Sequence, residues 1–276
     1  MNSSIKNKIR FCIAATLLAT AAFATDGKLS LVSSGTGDID NMTLKAFKTM
    51  QEADIFFTMG GKAGKFEKII GEKPIYPAGH ALFSKSSKNK WIKVKNNKGE
   101  TVKKTADEIA KIEKEYKELI RSSIKDGKNI AIIDNGDPTI FGPHINFIHE
   151  FKDLNPQIIA GLSSFNAANA ALQRSIVAGK SNARGVTLTV GNSKNNLIEK
   201  LAPTGSTMVF FMDRNFEDFI KHLKKHYKKD TGIAIVMNAG ESSKESVVSG
   251  TLENITKKIT HDKIPFNHLI YVGDFL

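Results

Sequence analysis

Cysteine is almost absent from this sequence, since the single one is Cys12, close to the N-terminus. The remainder of the chain therefore has neither a disulfide framework nor a cysteine-ligated metal site. The histidines are dispersed along the chain, and we predict no bound metal. A full P-loop, GxxxxGK[ST], is missing, and the turn Gly35-Thr36-Gly37 lacks the third glycine of the dinucleotide-binding fingerprint. Two common classes of nucleotide-binding site are excluded.

Long apolar runs are also scarce. The uncharged stretch Phe11–Ala24 has fourteen residues, whereas a transmembrane helix needs roughly 20. It follows a basic segment and ends in the small-x-small pattern Ala22-Phe23-Ala24. We predict that residues 1–24 are a signal peptide, cleaved before Thr25, and that the mature protein is periplasmic. The alternative is an uncleaved anchor in the inner membrane, and no stable span is expected in the mature chain.

The charge is strongly basic, at a formal +12, of which about +9 remains once the three basic residues of the leader are removed. Such a surface favours polyanions, among them nucleic acids and small molecules with many carboxylates. It is also typical of solubilising lysines. Only one tryptophan accompanies the lysines, and no RNA- or DNA-binding motif is present. We predict no nucleic-acid partner.

Short apolar runs alternate with helical patterns, which is typical of α/β proteins. Residues 25–154 are predicted to form one α/β domain and residues 155–276 a second, with a ligand cleft between them. The first domain contains the almost wholly apolar strand Asn129–Ile133, typical of a parallel sheet, and a helix that begins with a capping box at Thr105 and Glu108. The strand Gln157–Ala160 is assigned to the second domain.

Three loops follow a strand and open a helix, the position at which open α/β sheets bind ligands. They lie at Gly35–Asp38, Asn135–Gly142 and Gly161–Phe165. Each one taken alone is compatible with a tight structural turn, because a glycine-rich turn requires only a backbone of positive φ.

Taken together, these segments resemble the tetrapyrrole (corrin/porphyrin) methylase family. The runs LVSSGTGD (Leu31–Asp38), DGKNIAIIDNGDPTIFG (Asp126–Gly142) and IIAGLSSFNAANAAL (Ile158–Leu172) are similar to its first three motifs. Thr207–Met212 and Ile233–Leu252 resemble the fourth and fifth. The five motifs occur in the family's order and span nearly all of the mature chain.

The resemblance implies a two-domain α/β protein of the tetrapyrrole methylase type, with S-adenosyl-L-methionine bound in the interdomain cleft. It also suggests a homodimer. The cofactor-binding positions that it implies are Thr36, Asn135, Gly136, Asp137, Ile140, Ser163, Ser164, Met212 and Ala239. The Asp137 carboxylate is expected to accept hydrogen bonds from the ribose or the amine of the ligand.

The sequence departs from the family pattern at four places. Thr36 and Ala160 replace prolines, Phe211 replaces a tyrosine, and Met59 stands where uroporphyrinogen methylases carry an acidic catalytic residue. The departure at Met59 puts transfer to the usual uroporphyrinogen carbons in doubt.

The function implied is methyl transfer from S-adenosylmethionine to a porphyrin- or corrin-like small molecule. Two alternatives remain open: a non-catalytic tetrapyrrole- or ligand-binding protein on the same fold, and a methyltransferase with a peptide or another small molecule as acceptor. No catalytic residue is assigned, and the candidates for an assisting base are His80, Tyr76 and His144. Lysines between Lys62 and Lys104 either contact acceptor carboxylates or are simply solvated.

The predicted export conflicts with the use of S-adenosylmethionine, because this methyl donor is made and used in the cytosol. The protein could leave the cytosol already loaded, the leader could be a membrane anchor, or the fold could serve as a binder of tetrapyrrole or another ligand.

Overall fold

The computed structural model describes residues 26–86, 90–95, 101–177, 185–191, 196–212 and 215–276, without the side chains of residues 94 and 95. The predicted signal peptide, residues 1–24, lies outside these ranges. Within them, none of the helices combines the length and the apolar character that a membrane crossing requires.

The first sheet is parallel throughout. Its strands are β1 (Leu29–Ser33), β2 (Ile55–Thr58), β3 (Ile75–Pro77), β6 (Ile130–Asp134) and β7 (Gln157–Ile159). They lie in the order β3-β2-β6-β1-β7. All residues of β1 and β6 are buried, because alternate side chains enter two apolar clusters on opposite faces of the sheet. The sequence-based prediction of a buried parallel strand here is confirmed.

Helices cover both faces of this sheet. They are α1 (Leu44–Glu52), α2 (Glu67–Ile70), α3 (Ala106–Lys125) and α4 (Ile145–Glu150), and a separate hairpin is formed by β4 (Lys93–Lys95) and β5 (Thr101–Lys103). The predicted capping box is present at the start of α3: Thr105 Oγ1 accepts from the Glu108 N–H at 3.3 Å, and the Glu108 carboxylate accepts from the Thr105 N–H at 2.8 Å.

The second sheet is mixed. It consists of β8 (Val186–Val190), β9 (Thr207–Phe211), β10 (Gly232–Met237), β11 (Ser246–Thr251) and β12 (His268–Val272), in the order β11-β10-β12-β9-β8. Only the pair β8 and β9 is parallel. Helices α5 (Ser164–Leu172), α6 (Leu197–Leu201), α7 (Phe216–Leu223) and α8 (Ile255–Lys258) accompany it.

One strand differs from its sequence-based assignment. The segment Gln157–Ala160 was expected in the second domain, but β7 pairs with β1 at the edge of the first sheet, with Ile158 opposite Leu31. The turn at Asn155, which has a left-handed backbone with φ 49°, only precedes this edge strand. The predicted boundary between residues 154 and 155 therefore precedes the last strand of the first sheet, and the passage between the two sheets lies at residues 160–163.

Candidate functional site

A cleft of about 780 Å³ lies between the two sheets, within the volume range of small-molecule sites, about 300–1,000 Å³. The first half contributes the loops after β1, β2 and β6, and the second half contributes the ends of β9 and β10 and residues 266–269. The carboxyl ends of parallel strands meet at one edge of a sheet, which is why segments so distant in sequence come together here.

Five of the nine predicted cofactor-binding residues line this cleft. They are Thr36, Asn135, Ser164, Met212 and Ala239. The other four do not line it. They are Gly136, Asp137, Ile140 and Ser163.

Gly136 joins the loops after β1 and β6. Its N–H donates to the Gly35 carbonyl at 2.9 Å, and its own carbonyl accepts from the Ser33 hydroxyl. Its φ of 69° suits glycine, and a Cβ at this position would meet nothing nearer than Ser164 N at 3.7 Å. The backbone conformation, more than lack of space, requires glycine here.

The side chains of Asp137 and Ser163 accept hydrogen bonds from backbone N–H groups two residues further along the chain. The Asp137 carboxylate accepts from the Thr139 N–H at 2.8 Å and from its hydroxyl at 2.7 Å, the pattern by which aspartate closes a turn. The buried Ser163 hydroxyl accepts from the Phe165 N–H at 3.2 Å and caps α5. The predicted contact of Asp137 with a ligand stays a prediction, because this carboxylate is bonded within its own loop.

Two strand ends of the second sheet reach the cleft in left-handed conformations. Met212, just after β9, has φ 55°, and Asn238, just after β10, has φ 49°. Asparagine tolerates this region, whereas for methionine it costs on the order of 1–3 kcal/mol. Such residues cluster at ligand sites, which agrees with the predicted role of Met212.

The two halves are joined at one side of the cleft by a set of hydrogen bonds that we call the interdomain contact, formed by Thr36, Asp38, Asn41, Gly240 and Ser242. Asn41 Nδ2 donates to the carbonyls of Thr36 at 3.0 Å and Gly240 at 2.9 Å. The Asp38 carboxylate accepts from the hydroxyl of Ser242 at 2.6 Å and from its N–H at 2.8 Å. The bond from the Ser242 hydroxyl is the main reason that the pKa of Asp38 is lowered.

Of the three candidates for an assisting base, His144 alone lines the cleft. The His80 ring stacks on Trp91, with ring centroids 5.5 Å apart, and Tyr76 stacks on Phe57 at 5.4 Å. Neither His80 nor Tyr76 lines the cleft.

A buried carboxylate accompanies His144. Asp134, the last residue of β6, and His144 are only 4% and 1% exposed, and Asp134 Oδ2 lies 3.4 Å from His144 Nδ1. Among the described residues neither of these two atoms has a hydrogen-bond partner. His144 Nε2 lies 2.9 Å from the Gly79 carbonyl, which can only accept, so we assign the ring proton to Nε2.

This assignment leaves two acceptor atoms, Nδ1 and Oδ2, facing each other in a buried site. Two facing acceptor atoms repel each other, and a proton bound between them would relieve that repulsion. The Asp134–His144 pair can therefore accept and hold a proton at the cleft wall. Sequence analysis passed over Asp134, although a charged residue that ends a wholly apolar strand was a usable signal.

The rim of the cleft combines positive charge with an exposed aromatic ring. Phe266 is 72% exposed, Lys62 is exposed, and both line the cleft. The Lys62 backbone is fixed to the Thr58 hydroxyl by two bonds of 3.0 Å. Lys65, also on the rim, donates to the Gly37 carbonyl, and burial lowers its pKa.

A second group of side chains converges outside the cleft. His222 and His226 are four residues apart, and both Nε2 atoms approach Glu199 Oε1, at 3.3 and 3.6 Å. These three residues could hold a metal ion. The view that the histidines are dispersed needs correction, because His222 and His226 are only four residues apart and both approach Glu199. The prediction that no metal is bound stays a prediction.

Comparison with known proteins adds an independent observation. Residues 28–256 match the sequence profile of tetrapyrrole (corrin/porphyrin) methylases. A cobalt-precorrin-4 C(11)-methyltransferase of Methanocaldococcus jannaschii is 27% identical over 258 residues, with 90% of this chain and 88% of that protein covered. A siroheme synthase of Psychrobacter arcticus is 25% identical over 263 residues; 92% of this chain is covered, but it spans only 43% of that longer protein.

The fold agrees with that match. The structure of a cobalt precorrin-4 methyltransferase of cobalamin biosynthesis superposes with a TM-score of 0.65 at 19% identity, with 89% of this chain and 94% of the other covered. Two α/β sheets with a cleft between them, as predicted, are confirmed.

Proposed function

Because this chain belongs to the tetrapyrrole (corrin/porphyrin) methylase family, we propose that it is a methyltransferase that takes its methyl group from S-adenosylmethionine and transfers it to a porphyrin- or corrin-like acceptor. The observation that carries the proposal is that Thr36, Asn135, Ser164, Met212 and Ala239, from five separate segments, line one cleft.

The residues present fit a nucleoside donor. Thr36, on the loop after β1, offers a hydroxyl to the same cleft. Asn135 and Ser164 offer side-chain donors and acceptors, and Met212 and Ala239 offer apolar surface on the opposite wall. S-adenosylmethionine supplies the electrophilic methyl group when bound. The work of these residues is to align donor and acceptor and to exclude water.

A flat acceptor with several carboxylates matches the rim. The exposed Phe266 ring offers a stacking surface, and Lys62 supplies a cation within the same cleft. Met59 lines the cleft at the position where uroporphyrinogen methylases carry an acidic residue, so this chain lacks that acid. Either a different acceptor atom is methylated here, or the acceptor is activated by other residues.

Replacing a hydrogen on carbon by a methyl group releases one proton, which requires an acceptor. We place that acceptor at the Asp134–His144 pair, because its facing Nδ1 and Oδ2 atoms are 3.4 Å apart, buried and unpartnered among the described residues. The pair takes the place of the missing acid. General-base assistance of this kind contributes about 10²–10⁴-fold to rate.

The donor and the turnover are tested in two steps. Calorimetry of the mature chain with S-adenosylmethionine and with its demethylated product measures binding. Incubation with the donor and reduced porphyrin or corrin precursors is then followed by mass spectrometry. We expect binding and the gain of a methyl group. Absence of binding to both donor and product would overturn the proposal, while pigment binding without turnover would indicate the non-catalytic alternative.

The proton acceptor is tested with His144→Gln and Asp134→Asn. We expect kcat to fall by about 10²–10⁴-fold while the donor Kd, measured by calorimetry, stays unchanged. His149→Ala is the matched control, since His149 is exposed on α4. If kcat is unchanged in a variant that still binds the donor, the proton leaves by another route.

We also propose export with cleavage before Thr25, supported by the basic segment, the apolar run Phe11–Ala24 and the small-x-small end of that run. N-terminal sequencing of the protein recovered from a periplasmic fraction should begin at Thr25. A chain that begins at Met1 in the membrane fraction would favour the anchor.

A homodimer is proposed for the assembly. It is supported by the exposed apolar side chains of α1, Leu44 at 78% and Phe47 at 38% exposure, since exposed apolar groups on one helix are typical of contact surfaces. Light scattering of the mature chain should give twice the monomer mass. Leu44→Lys should reduce that mass to the monomer value.

A further inference from the structure

The group formed by Glu199, His222 and His226 lies away from the cleft, and none of its members lines it. Helix α7 buries Phe216, Phe219, Ile220 and Leu223 in the core of the second half. His222 lies in the last turn of α7, and His226 follows three residues after the end of this helix at Leu223. Glu199 lies on α6, whose neighbouring residue Ile198 is buried in the same core cluster. Glu199 and His222 therefore lie on packed helices, and Tyr227, next to His226, packs against the same core cluster.

The geometry suits a tetrahedral ion. All three ligand atoms lie within 4.8 Å of one another, and the Glu199 Oε1 atom lies 3.3 Å from His222 Nε2 and 3.6 Å from His226 Nε2. Zinc bonds of about 2.0–2.1 Å at tetrahedral angles separate two ligand atoms by about 3.3–3.4 Å. The two separations from Glu199 Oε1 need little adjustment to meet that value, and the two Nε2 atoms, within 4.8 Å of each other, can move closer because both side chains are partly exposed.

The chemistry of the ligand set points to zinc. Two imidazoles and one carboxylate form a known zinc ligand set, in which a water molecule takes the fourth position. The three side chains are 41%, 25% and 33% exposed for His222, His226 and Glu199, so an ion and its water have access. The nearby Lys221 ammonium is paired with Asp218 at 3.0 Å.

We propose that Glu199, His222 and His226 bind one Zn²⁺ ion that ties α6 to α7 on the outer side of the second half. The competing explanation is that the two imidazoles simply share hydrogen bonds with one carboxylate. The zinc proposal does not depend on methyl transfer, because its residues and its measurement are separate from the cleft.

The test uses the mature chain without an affinity tag, freed of metal by a chelator and then titrated with ZnCl2 in a calorimeter. We expect one ion per chain and a higher Tm with zinc. His222→Ala, His226→Ala and Glu199→Gln should each weaken zinc binding by tenfold or more. His149→Ala, which removes an exposed histidine elsewhere, should leave it unchanged.

Two readouts separate a lost ligand from a misfolded variant. Circular dichroism and donor affinity should be the same in the three variants as in the parent chain. Co²⁺ in place of zinc should give the visible spectrum of a four-coordinate ion in the parent and lose it in the variants. No saturable zinc binding by the parent chain, or binding that the three substitutions leave unchanged, would overturn the proposal.

Discussion

Gly37 lies where the loop after β1 closely approaches the second half of the chain. It has φ 70°, and a Cβ added there would overlap the backbone of Gly240 and Glu241. Gly240, with φ 83°, faces it, and a Cβ there would lie 2.9 Å from the Thr36 carbonyl oxygen. The loop after β1 therefore depends on two glycines that lie in different halves of the chain.

Gly37→Ala is expected to destabilise the protein. The left-handed backbone alone costs on the order of 1–3 kcal/mol for a residue other than glycine, and the overlap with Gly240 forces the two loops apart. Thermal unfolding should show a lower Tm, and calorimetry should show weaker donor binding. Gly60→Ala is the control for stability, because a Cβ at Gly60 meets nothing within 4 Å. Equal Tm values for the two variants would contradict this explanation.

Lys62→Ala should act on the acceptor and not on the donor. Lys62 is exposed on the rim, and loss of one charge-assisted contact to a carboxylate costs roughly 1.5–3 kcal/mol. We expect the acceptor KM to rise by one to two orders of magnitude, with donor Kd unchanged. Steady-state kinetics with each substrate varied in turn measures both. Lys48→Ala, on α1 and outside the cleft, serves as the reference, and a similar KM in both variants would argue against a carboxylate contact.

At the scale of single elements, helix α3 depends on its first turn. Thr105→Ala removes the acceptor that satisfies the Glu108 N–H, and loss of such a cap costs about 0.5–2 kcal/mol. Urea unfolding should show a lower midpoint with an unchanged slope. Thr105→Ser, which keeps the hydroxyl, should restore most of the loss, and its failure to do so would point to packing instead of capping.

The first turn of α3 also makes the stability of the protein depend on pH. The bond from Lys104, with those from Thr105, lowers the pKa of Glu108 from its ordinary 4.5 to about 2. A lowered pKa means that the contribution of Glu108 to stability is complete above 4.5 and is lost as pH falls towards 2. The Glu108→Gln chain should therefore lose less stability than the parent between pH 5 and pH 3, roughly. An equal loss of stability in the two chains on acidification would contradict this role of Glu108.

Some helices and strands could be predicted from the sequence, and others could not. The capping box at Thr105 and the apolar run of β6 are local signals, and both were predicted correctly. Strands β3 and β11 were missed because the former is short and the latter is largely exposed, so neither has a strong apolar pattern. The strand β7 was found but assigned to the wrong sheet, because strand pairing depends on tertiary contacts that a local pattern does not contain.

Some residues of the candidate site could likewise be predicted from the sequence, and others could not. Residues next to glycine-rich turns, such as Thr36 and Asn135, were identified because motifs mark them. The approach of Asp134 to His144 was not predicted, since it results from the fold of a loop between them. Asp137 was predicted as a ligand contact from its motif, but its carboxylate accepts a hydrogen bond from Thr139. The motif alone does not reveal that the loop and a ligand compete for this carboxylate.

For the molecule as a whole, the interdomain contact holds the cleft in its present shape. Asn41→Ala removes the donor to both Thr36 and Gly240, and each lost bond costs about 0.5–1.5 kcal/mol. The donor Kd should rise by roughly tenfold, because binding must then also order the two halves. Calorimetry measures the change, and Asn146→Ala, on α4 and outside the cleft, is the control. Equal donor affinity in the two variants would mean that the contact does not shape the site.

Asp38 makes the same contact sensitive to acid. Its lowered pKa means that the carboxylate supports the contact at neutral pH and that this support is lost as pH falls through the lowered value. Asp38→Asn should mimic the acidic state, with weaker donor binding at neutral pH and a smaller further loss on acidification. An affinity that depends on pH identically in both chains would contradict it.

Among the described strands of the two large sheets, all those before residue 160 lie in the first sheet and all those after residue 163 in the second. The polypeptide thus passes once from one sheet to the other. A gene split within that passage would encode two fragments, each carrying a complete sheet and half of the cleft walls. The interdomain contact would favour their reassembly, and a ligand that binds both walls of the cleft would stabilise it further, so a pair of fluorescently labelled fragments could serve as a sensor for the methyl donor in a living cell.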